Sequence, residues 1–307
     1  MSETLDLVVI GAGVAGLSAA ATAAEWGLET VVIEHLAAGG QIATVDRIMN
    51  APGHPEGIAG YELGPALQTQ AENAGARFLV DTVEAVSLSD GHFLLRCAET
   101  TLRSRTVIVA TGSHRKALDV PGEASFSGRG VSHCASCDGP FFRGKDMVVV
   151  GGGDSAFDEA ALLAEHAAAL TIIHQGPRPT ARRSQVRRIE ALPNVKIFAN
   201  NRVVAIAGDT ELRSVILEDG RNISAAAVFP YIGQAPNTDC VQAFVELNNE
   251  GRVVTASDMQ TSVPGCFAAG DVRSGFEGLI ATALGDGAKA AQSARRFIKI
   301  RALHAGI

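Results

Sequence analysis

The chain repeats one pattern of hydrophobic and polar positions. A nearly continuous apolar run at 5–10 leads into a glycine-rich turn, an alanine-rich stretch to about residue 26 and a second apolar run at 29–34. Short runs of this kind are typical of parallel strands that are covered on both faces, and the longer stretch between them indicates a helix. The pattern therefore predicts a strand–helix–strand unit at the start of the chain.

The turn of this unit has a composition that suits phosphate groups. It reads Gly-Ala-Gly-Val-Ala-Gly at 11–16, and Glu34 closes the second strand. The glycines let the backbone approach a pyrophosphate, whose charge is favoured by the free N–H groups and the dipole of the helix N-terminus. The acid can accept hydrogen bonds from ribose hydroxyls. The alternative is a tight turn in a layer that binds no nucleotide. The candidate contacts are Gly11, Gly13, Ala15, Gly16 and Glu34.

The same pattern returns in the middle of the chain. An apolar run at 147–150 precedes a second glycine-rich turn at 151–156, which is followed by an apolar helix to about residue 165 and a run at 170–174. Two strand–turn–helix–strand units with matching turns indicate two copies of one nucleotide-binding fold. We therefore expect an α/β protein with two Rossmann-like dinucleotide-binding domains.

The two copies differ at the end of their second strand. His174 stands where the first copy has Glu34, and arginines follow it, starting at Arg178. An acid at this position repels the 2′-phosphate of NADP, whereas nearby arginines can bind that phosphate bidentately. The first site is therefore expected to bind FAD or NAD and the second NADPH, unless the arginines form the solvated face of a helix at 181–192. The candidate contacts of the second site are Gly151, Gly153, Asp154, Ser155, Ala156, His174, Arg178, Arg182 and Arg183.

A cysteine pair precedes the second copy. Residues 131–139 read Val-Ser-His-Cys-Ala-Ser-Cys-Asp-Gly, so Cys134 and Cys137 can close and reopen a small disulfide ring. Each thiol lowers the pKa of the other, and Asp138 can shuttle the proton that thiol–disulfide exchange requires. The alternatives are a structural zinc site and two inert buried cysteines, but the remaining cysteines are scattered singly and do not supply the second pair of a zinc site. We predict a redox-active disulfide and no metal.

Composition argues against several classes of function. With 307 residues, 47% of them hydrophobic and 19% charged, the chain is expected to form two well-packed domains. Its net charge of −7 does not suit a general binder of nucleic acids or anionic membranes, and no apolar run is long enough to cross a bilayer. The first residues lack the features of a secretory signal, so we expect a cytoplasmic protein, in whose reducing surroundings a CxxC pair is catalytic.

Taken in order, these motifs resemble the low-molecular-weight thioredoxin reductases of the pyridine nucleotide–disulfide oxidoreductase superfamily over essentially the whole chain. The most specific feature is Cys-Ala-Ser-Cys-Asp-Gly at 134–139, shortly before Gly-Gly-Gly-Asp-Ser-Ala at 151–156. The resemblance implies an FAD domain made of residues 1–116 and 244–307, with an NAD(P)H domain, 117–243, inserted between them and carrying the CxxC pair. It also implies further FAD contacts, namely Gly40, Gln41, Asn50, Thr111, Gly112, Gly270 and Asp271.

The same resemblance implies an electron relay. NADPH reduces FAD, the reduced flavin opens the disulfide, and the dithiol reduces the disulfide of a thioredoxin-like protein; rotation about two linkers would give the cysteine pair access to both. By correspondence with the family, Cys137 faces the flavin, Cys134 attacks the substrate and Asp138 donates and accepts the proton. Members of the family are homodimers, and we expect a homodimer here.

Two departures from the family pattern keep other functions open. Gln175-Gly176-Pro177 replaces the arginines that usually follow the histidine, which leaves NADH or another electron donor as alternatives to NADPH. Gly278-Leu279 replaces an Arg-Gln pair near the flavin ring, a change that can alter the redox potential or the partner. The alternative functions are therefore a reductase of another disulfide, a dithiol oxidase that returns electrons to O₂, and a non-enzymatic flavin redox sensor.

Overall fold

The computed structural model describes residues 4–304, and the chain divides into two compact units. The first consists of Met1–His114 with Ala235–Ile307, and the second is Arg115–Gln234. Among the described residues, no helix combines the length and the apolar character needed to cross a membrane.

The strands are, in chain order, β1 (Leu5–Ile10), β2 (Thr30–Glu34), β3 (Arg77–Val80), β4 (Val83–Ser89), β5 (His92–Cys97), β6 (Thr101–Val109), β7 (Ser113–Arg115), β8 (Met147–Val150), β9 (Leu170–Ile173), β10 (Val195–Phe198), β11 (Val203–Gly208), β12 (Leu212–Leu217), β13 (Asn222–Ser224), β14 (Ala227–Pro230), β15 (Gln234–Pro236) and β16 (Cys266–Ala268). The α-helices are α1 (Val14–Glu25), α2 (Gly60–Asn73), α3 (Glu123–Phe126), α4 (Ala135–Asp138), α5 (Asp154–Ala164), α6 (Arg183–Glu190) and α7 (Ile280–His304). Short 3₁₀ turns lie at Gly40–Thr44, Gly139–Phe142 and Gly270–Val272.

The first unit is built on a sheet in which β3, β2, β1, β6 and β16 run parallel, while β5 and β4 are joined to β6 as antiparallel strands. The central strand β1 shows why its sequence is apolar without alternation. Leu7 and Val9 pack into the core on one face of the sheet, and Val8 and Ile10 pack into the core on the other. A strand that is covered on both faces needs apolar side chains at every position.

Helices α1 and α7 pack against each other in this unit. Gly287 on α7 lies so close to α1 that a Cβ at this position would be 2.1 Å from the carbonyl oxygen of Ala15. The alanines that face this contact, including Ala19, Ala20 and Ala23, are fully buried. Because α7 comes from the end of the chain, the first and last segments of the sequence share one hydrophobic core.

Residues 235–243 belong by their contacts to the first unit, although the sequence places them in the predicted inserted domain. Val241 is 1% exposed and lies in the core of the first sheet. The carbonyl oxygen of Cys240 accepts a hydrogen bond of 3.1 Å from the amide of Val86 in β4. Apolar burial and a backbone hydrogen bond therefore attach this stretch to the first sheet.

The second unit has a four-stranded parallel sheet in the order β10–β9–β8–β14, and a separate antiparallel sheet of β11, β12 and β13. Strands β9 and β10 lie on one side of β8, and β14 lies on the other. Dinucleotides bind at such a switch in strand order, at the carboxyl ends of the strands. The glycine turn 151–153 connects β8 to α5, so the N-terminus of α5 lies at this edge of the sheet. The prediction of an α/β fold with two Rossmann-like sheets is confirmed.

Helix α6 is shorter than the helix at 181–192 that was the alternative role for the arginines. The amides of Thr180 and Ala181 donate to the carbonyl oxygen of Gly152 at 2.8 and 3.0 Å, so these residues belong to a turn against the glycine-rich loop. At the other end Pro193 disfavours a helical conformation in the residue that precedes it. The helix is therefore confined to the eight residues between these two features.

Candidate active site

The glycine-rich turn between β1 and α1 leaves an open cradle at the start of the helix. Gly11 has φ +102°, and a Cβ there would lie 2.5 Å from the carbonyl oxygen of Ala110, so this position requires glycine. Gly13 has an ordinary φ of −71°, and a Cβ built on it meets nothing within 4 Å. Among the described residues, no side chain caps the free N–H groups of α1. The turn therefore fits a pyrophosphate.

Glu34 lies at the edge of this cradle, at the end of β2. Its Oε2 accepts a hydrogen bond from the amide of Ala12 at 2.8 Å, and its Oε1 accepts from the amides of His35 and Leu36 at 2.9 and 3.1 Å. These bonds fix the carboxylate next to the glycine turn, where it can accept hydrogen bonds from ribose hydroxyls. The residues present therefore fit the nucleotide expected in the first unit.

Gln41 and Asp271, which come from distant parts of the sequence, meet in the first unit. The side-chain amide of Gln41 donates to Oδ2 of Asp271 at 2.8 Å and to the carbonyl oxygen of Ser113 at 3.0 Å. The hydroxyl of Ser113 also donates to Oδ2 of Asp271, at 2.9 Å. The structure thus joins two predicted residues through Ser113, which the sequence motifs did not identify.

The other predicted contacts of the first site differ in how close they lie to the glycine turn. Gly40 lies against the glycine turn, because a Cβ on it would be 3.2 Å from Cα of Gly13. Thr111 donates through its hydroxyl to the carbonyl oxygen of Asn237 at 2.5 Å and accepts from the side-chain amide of Asn237 at 2.8 Å. Asn50 is exposed in a loop, and the contacts of the described residues do not connect it with this group.

A buried ion pair supports the turn that carries Asp271. Nε and Nη2 of Arg273 donate to the two carboxylate oxygens of Asp286 at 2.6 and 2.8 Å, and Asp286 also accepts from the amide of Gly270 at 3.2 Å. Asp286 belongs to α7 and is 7% exposed. The bidentate pair therefore holds the Gly270 turn to the C-terminal helix.

A cleft of about 900 Å³ opens in the second unit, at the switch point of its sheet. Gly153 has φ −91°, and the nearest atom to a Cβ built on it is the hydroxyl oxygen of Thr180 at 3.8 Å. This position therefore matches Gly13 in the first unit, with open space in front of a helix N-terminus. The predicted residues that line the cleft are Gly151, Gly153, Asp154, Ser155 and His174, and Ala156 is fully buried.

His174 follows β9 and is 5% exposed. A Cβ on Gly152 would lie 3.1 Å from Cβ of His174, so the imidazole packs against the glycine turn. Burial lowers the pKa of His174, and the ring is neutral at neutral pH. Its Nε2 has no hydrogen-bond partner within the described part of the chain. A buried polar atom without a partner is costly, so this position fits a polar group of a ligand bound in the cleft.

The three predicted arginines are not among the described side chains that line the cleft. Nε of Arg182 lies 3.4 Å from Asp154, and its Nη2 lies 3.6 Å from Asp158. Arg178 and Arg183 are exposed. In this structure the charge of Arg182 is therefore balanced by two carboxylates of α5.

Cys134 and Cys137 are joined by a disulfide in the second unit, with their Cα atoms 5.3 Å apart. Cys134 is partly buried and caps the short helix α4, where its Sγ accepts a hydrogen bond of 3.2 Å from the amide of Cys137. Once the ring opens, this N–H group can stabilise a thiolate on Cys134. The geometry suits Cys134 as the thiol that attacks a substrate.

Ser132 connects the first cysteine with the predicted proton carrier. Its hydroxyl accepts a hydrogen bond from the amide of Cys134 at 3.1 Å and donates to Oδ2 of Asp138 at 2.5 Å. Ser132 is 8% exposed, so little water competes for these bonds. The carboxylate of Asp138 is therefore fixed within the redox loop, as a group that donates and accepts protons there requires.

Tyr231 reaches the redox loop from the end of β14. Its hydroxyl accepts from the amide of Ala135 at 3.2 Å and donates to the carbonyl oxygen of His133 at 3.4 Å. The guanidinium of Arg115 lies over the ring, 5.1 Å from its centroid. Burial raises the pKa of Tyr231 and also that of Glu159, whose rise is opposed by Arg115. Tyr231, Glu159 and Arg115 all line the cleft.

The remaining cysteines lie outside this chemistry. Burial raises the pKa of Cys97, that of Cys240 to about 11 and that of Cys266 to about 12, so all three stay protonated at neutral pH. Within residues 4–304, no group of three or more His, Cys, Asp and Glu side chains is placed to hold a metal ion.

Comparison with known proteins accounts for this combination of two glycine turns and one disulfide. The family model of the pyridine nucleotide-disulphide oxidoreductases matches residues 5–294. The chain belongs to this family. Membership makes it an oxidoreductase that acts on a sulfur group, and it implies FAD and a nicotinamide dinucleotide as cofactors.

Relatives of the chain within this family include proteins named thioredoxin reductase. That of Treponema pallidum is 38% identical over 97% of this chain and 98% of the relative, and that of Chlamydia trachomatis is 39% identical over 95% and 98%. The crystal structure of Lactococcus lactis thioredoxin reductase has a TM-score of 0.88 at 32% identity, covering 96% of this chain and 99% of that chain. The corresponding values for T. acidophilum thioredoxin reductase are 0.84 and 35%, with coverages of 95% and 97%.

Four residues of the site had no role assigned to them from the sequence. Ser113 and Glu159 lie outside the motifs, whereas Ser132 belongs to the stretch 131–139 and Tyr231 begins the segment 231–237 of the family resemblance. Only Ser132 has a local signal, because a serine two residues before a CxxC can bond the backbone of the first cysteine. The others take their positions from the way the strands and helices assemble.

Proposed function

We propose that the protein is a thioredoxin-disulfide reductase, which passes electrons from a nicotinamide dinucleotide through FAD and the Cys134–Cys137 pair to the disulfide of a thioredoxin-like protein. The observation that carries the proposal is the disulfide itself, which lies in the same unit as the dinucleotide cleft and carries a fixed carboxylate, Asp138. The names of the relatives support the choice of substrate.

The two units would divide the cofactors between them. In the first unit the free N–H groups of α1 at Gly13 would hold the FAD pyrophosphate, and Glu34 would bind its ribose. In the second unit α5 at Gly153 would hold the dinucleotide pyrophosphate. The adenosine half would then lie toward His174 and the nicotinamide half toward Tyr231, on the other side of the switch point. Bound FAD supplies two-electron exchange between a nicotinamide and a disulfide.

The thiol steps follow from the redox loop. Two electrons and two protons convert the Cys134–Cys137 disulfide into two thiols. The thiolate of Cys134, stabilised by the amide of Cys137, attacks one sulfur of the substrate disulfide and releases the other as a thiolate. Cys137 then attacks the mixed disulfide, releases the second substrate thiol and restores the internal disulfide. Asp138, held by Ser132, removes the proton from the attacking thiol and returns it to the leaving sulfur.

NADPH is the first candidate donor, as the family resemblance implies, with Arg178, Arg182 and Arg183 as the residues that would reorient toward a 2′-phosphate. A specific arrangement favours NADH as the second candidate. The ribose end of the cleft carries the neutral side chain of Gln175, and Arg202 beside it pairs with Glu218 at 2.9 Å. Because Glu218 balances the charge of Arg202, this arginine is a weaker partner for a 2′-phosphate than an arginine without a carboxylate beside it.

The setting of the reaction is part of the proposal. A reducing compartment such as the cytoplasm keeps the pair cycling between thiol and disulfide. We also propose a homodimer, in line with the family resemblance. Light scattering on the purified protein tests this part, with the mass of a single chain, 31.8 kDa, as the contradicting result.

Turnover by purified enzyme tests the function directly. Cys134→Ser is expected to leave flavin bleaching by the dinucleotide unchanged and to abolish reduction of thioredoxin, and Asp138→Asn to slow thioredoxin reduction by about 100-fold or more. Cys240→Ser, at a cysteine outside the redox loop, is the matched control and should behave as wild type. Equal activity of all variants would contradict the assignment.

The same assay separates the alternative functions and donors. Bleaching by NADPH or by NADH, compared at equal concentration, identifies the donor. Reduction of small disulfides but not of thioredoxins indicates another substrate, oxygen consumption on adding a dithiol indicates an oxidase, and bleaching by dithionite alone indicates a redox sensor or another donor.

A further inference from the structure

Tyr231 lies between the dinucleotide cleft and the loop that carries the redox disulfide. Its hydroxyl touches the backbone on both sides of Cys134, at the amide of Ala135 and the carbonyl oxygen of His133. The side chain is 8% exposed, and it also lines the cleft. One buried side chain thus contacts both the loop that undergoes chemistry and the site where the dinucleotide would bind.

Glu159 is a second residue that lies between the cleft and the redox loop. It lies in the middle of α5 and lines the cleft together with Tyr231, and residues of the same helix pack with Ala135 of the redox loop in one hydrophobic cluster. Burial raises the pKa of Glu159, and this rise is opposed by Arg115, by the hydroxyl of Tyr231 and by the amide of Ala135. The hydroxyl has a single hydrogen, which either the carbonyl oxygen of His133 or the carboxylate of Glu159 can accept. A ligand that engages Glu159 therefore changes which bonds the redox loop receives.

The charge of Glu159 acts on the same loop. Opening the disulfide places a developing negative charge on Cys134, next to the amide of Ala135. A carboxylate on the adjoining helix disfavours that charge, and within the described part of the chain Arg115 is the one charged group interacting with Glu159 that offsets it. A dinucleotide whose amide or positively charged ring pairs with Glu159 would remove part of this penalty.

We propose that Glu159 and Tyr231 couple the two sites, so that a nicotinamide dinucleotide in the cleft makes the Cys134–Cys137 disulfide easier to open before any electron is transferred. The proposal rests on the proposed function for the identity of the ligand. Tyr231 acts here as a positioning residue, because it touches the loop backbone and not the reacting sulfurs.

The test measures ring opening without electron transfer from the nucleotide. The oxidised holoenzyme is treated with dithiothreitol under anaerobic conditions, with and without saturating NAD⁺ or NADP⁺, and samples are quenched in acid and alkylated for mass spectrometry. Dithiothreitol is oxidised to its cyclic disulfide, and the cysteine pair takes up the two electrons and two protons. We expect whichever nucleotide binds wild-type enzyme to speed opening by about 2- to 10-fold, the range that one hydrogen bond produces.

Two variants assign this response to its residues. Glu159→Gln is expected to open faster than wild type without nucleotide and to show no further acceleration with it. Tyr231→Phe is expected to lose at least half of the response, while its nucleotide affinity, measured by calorimetry, stays within a few-fold of wild type. The matched controls are Tyr61→Phe, at the chain's other tyrosine, which is 65% exposed, and Glu165→Gln at the far end of α5; both should respond as wild type.

Three results would overturn the coupling: a wild-type enzyme whose ring opening ignores both nucleotides, a Glu159→Gln enzyme that behaves as wild type, or a Tyr231→Phe enzyme that binds nucleotide and keeps the full response. Failure of the proposed function looks different. Wild-type enzyme would then show no thioredoxin turnover while its disulfide still responded to nucleotide, because dithiothreitol opens the ring without flavin or thioredoxin.

Discussion

Replacing Gly13 or Gly153 by alanine should separate the two nucleotide sites while preserving the fold. Both residues have φ values that alanine adopts without strain, −71° and −91°. A Cβ on Gly13 meets nothing within 4 Å, and a Cβ on Gly153 meets only the Thr180 hydroxyl at 3.8 Å. By contrast, a Cβ on Gly16 would lie 1.9 Å from a backbone oxygen and would disrupt the turn. The methyl groups at 13 and 153 therefore act on the ligand and not on the packing of the protein.

The size of the effect follows from this geometry. One extra methyl group in a close-packed contact costs about 1–3 kcal/mol, which weakens a dissociation constant about 5- to 150-fold. The free energy of unfolding of the protein without nucleotides should change by less than about 1 kcal/mol. Alanine restricts the unfolded chain more than glycine does, but it is less favourable than glycine at the helix N-cap, the position that both residues occupy.

Titration checks both statements. FAD is removed reversibly and titrated back while its fluorescence is followed, and the dinucleotide is titrated calorimetrically into FAD-loaded enzyme. Gly13→Ala should weaken FAD and spare the dinucleotide, and Gly153→Ala should do the reverse, so each variant is the control for the other. Affinity within about twofold of wild type at the altered site, or a loss of more than about 1 kcal/mol in urea unfolding of the nucleotide-free variant, would refute the reasoning.

Three further changes test the supporting contacts. Ser132→Ala should lower thioredoxin turnover about 2- to 10-fold and shift its pH profile, because Asp138 loses its hydrogen-bond donor; an unchanged profile would contradict that role. Asp286→Ala should destabilise the protein by about 3 kcal/mol in urea unfolding, because the partly buried Arg273 loses the carboxylate that balances its charge, and a loss below about 1 kcal/mol would show that water replaces the pair. The pKa of Asp219 is lowered from 3.8 to about 2, chiefly by a hydrogen bond from the arginine two residues on. Its folded-state pKa lies below the unfolded one, so its contribution to stability is present above pH 3.8 and lost as the pH falls toward 2. Asp219→Asn should flatten the melting temperature across that window, and a wild-type slope in the variant would count against this assignment.

The parts of the fold that could be predicted are the strands that are buried on both faces. Strands β1 and β8 begin and end at the predicted residues, because both of their faces are covered and every position must be apolar. The helix at 181–192, considered as the alternative role for the arginines, is too long, because the amides of Thr180 and Ala181 donate to the glycine loop. A tertiary contact of this kind leaves no trace in local periodicity.

In the candidate site, too, residues that are adjacent in sequence could be predicted, and residues brought together by the fold could not. The glycine turns and the CxxC pair were visible because their chemistry depends on residues that are adjacent in sequence. Tyr231 and Glu159 could not be placed, because they approach the redox loop only through the assembly of β14, α5 and the segment before β8. Arg182 was assigned to a phosphate from charge spacing alone, which did not reveal the carboxylates on α5 that face it.

The first unit consists of two segments that are synthesised at different times, so its core is completed only after the second segment has been made. Arg115–Gln234 is one continuous stretch, so it emerges from the ribosome complete and can fold while translation continues. Helix α1 is made early, but α7, which fits against it through Gly287, is made only after the whole second unit. The alanine face of α1 therefore stays uncovered while the second unit is synthesised, and it is accessible to a chaperone during that interval.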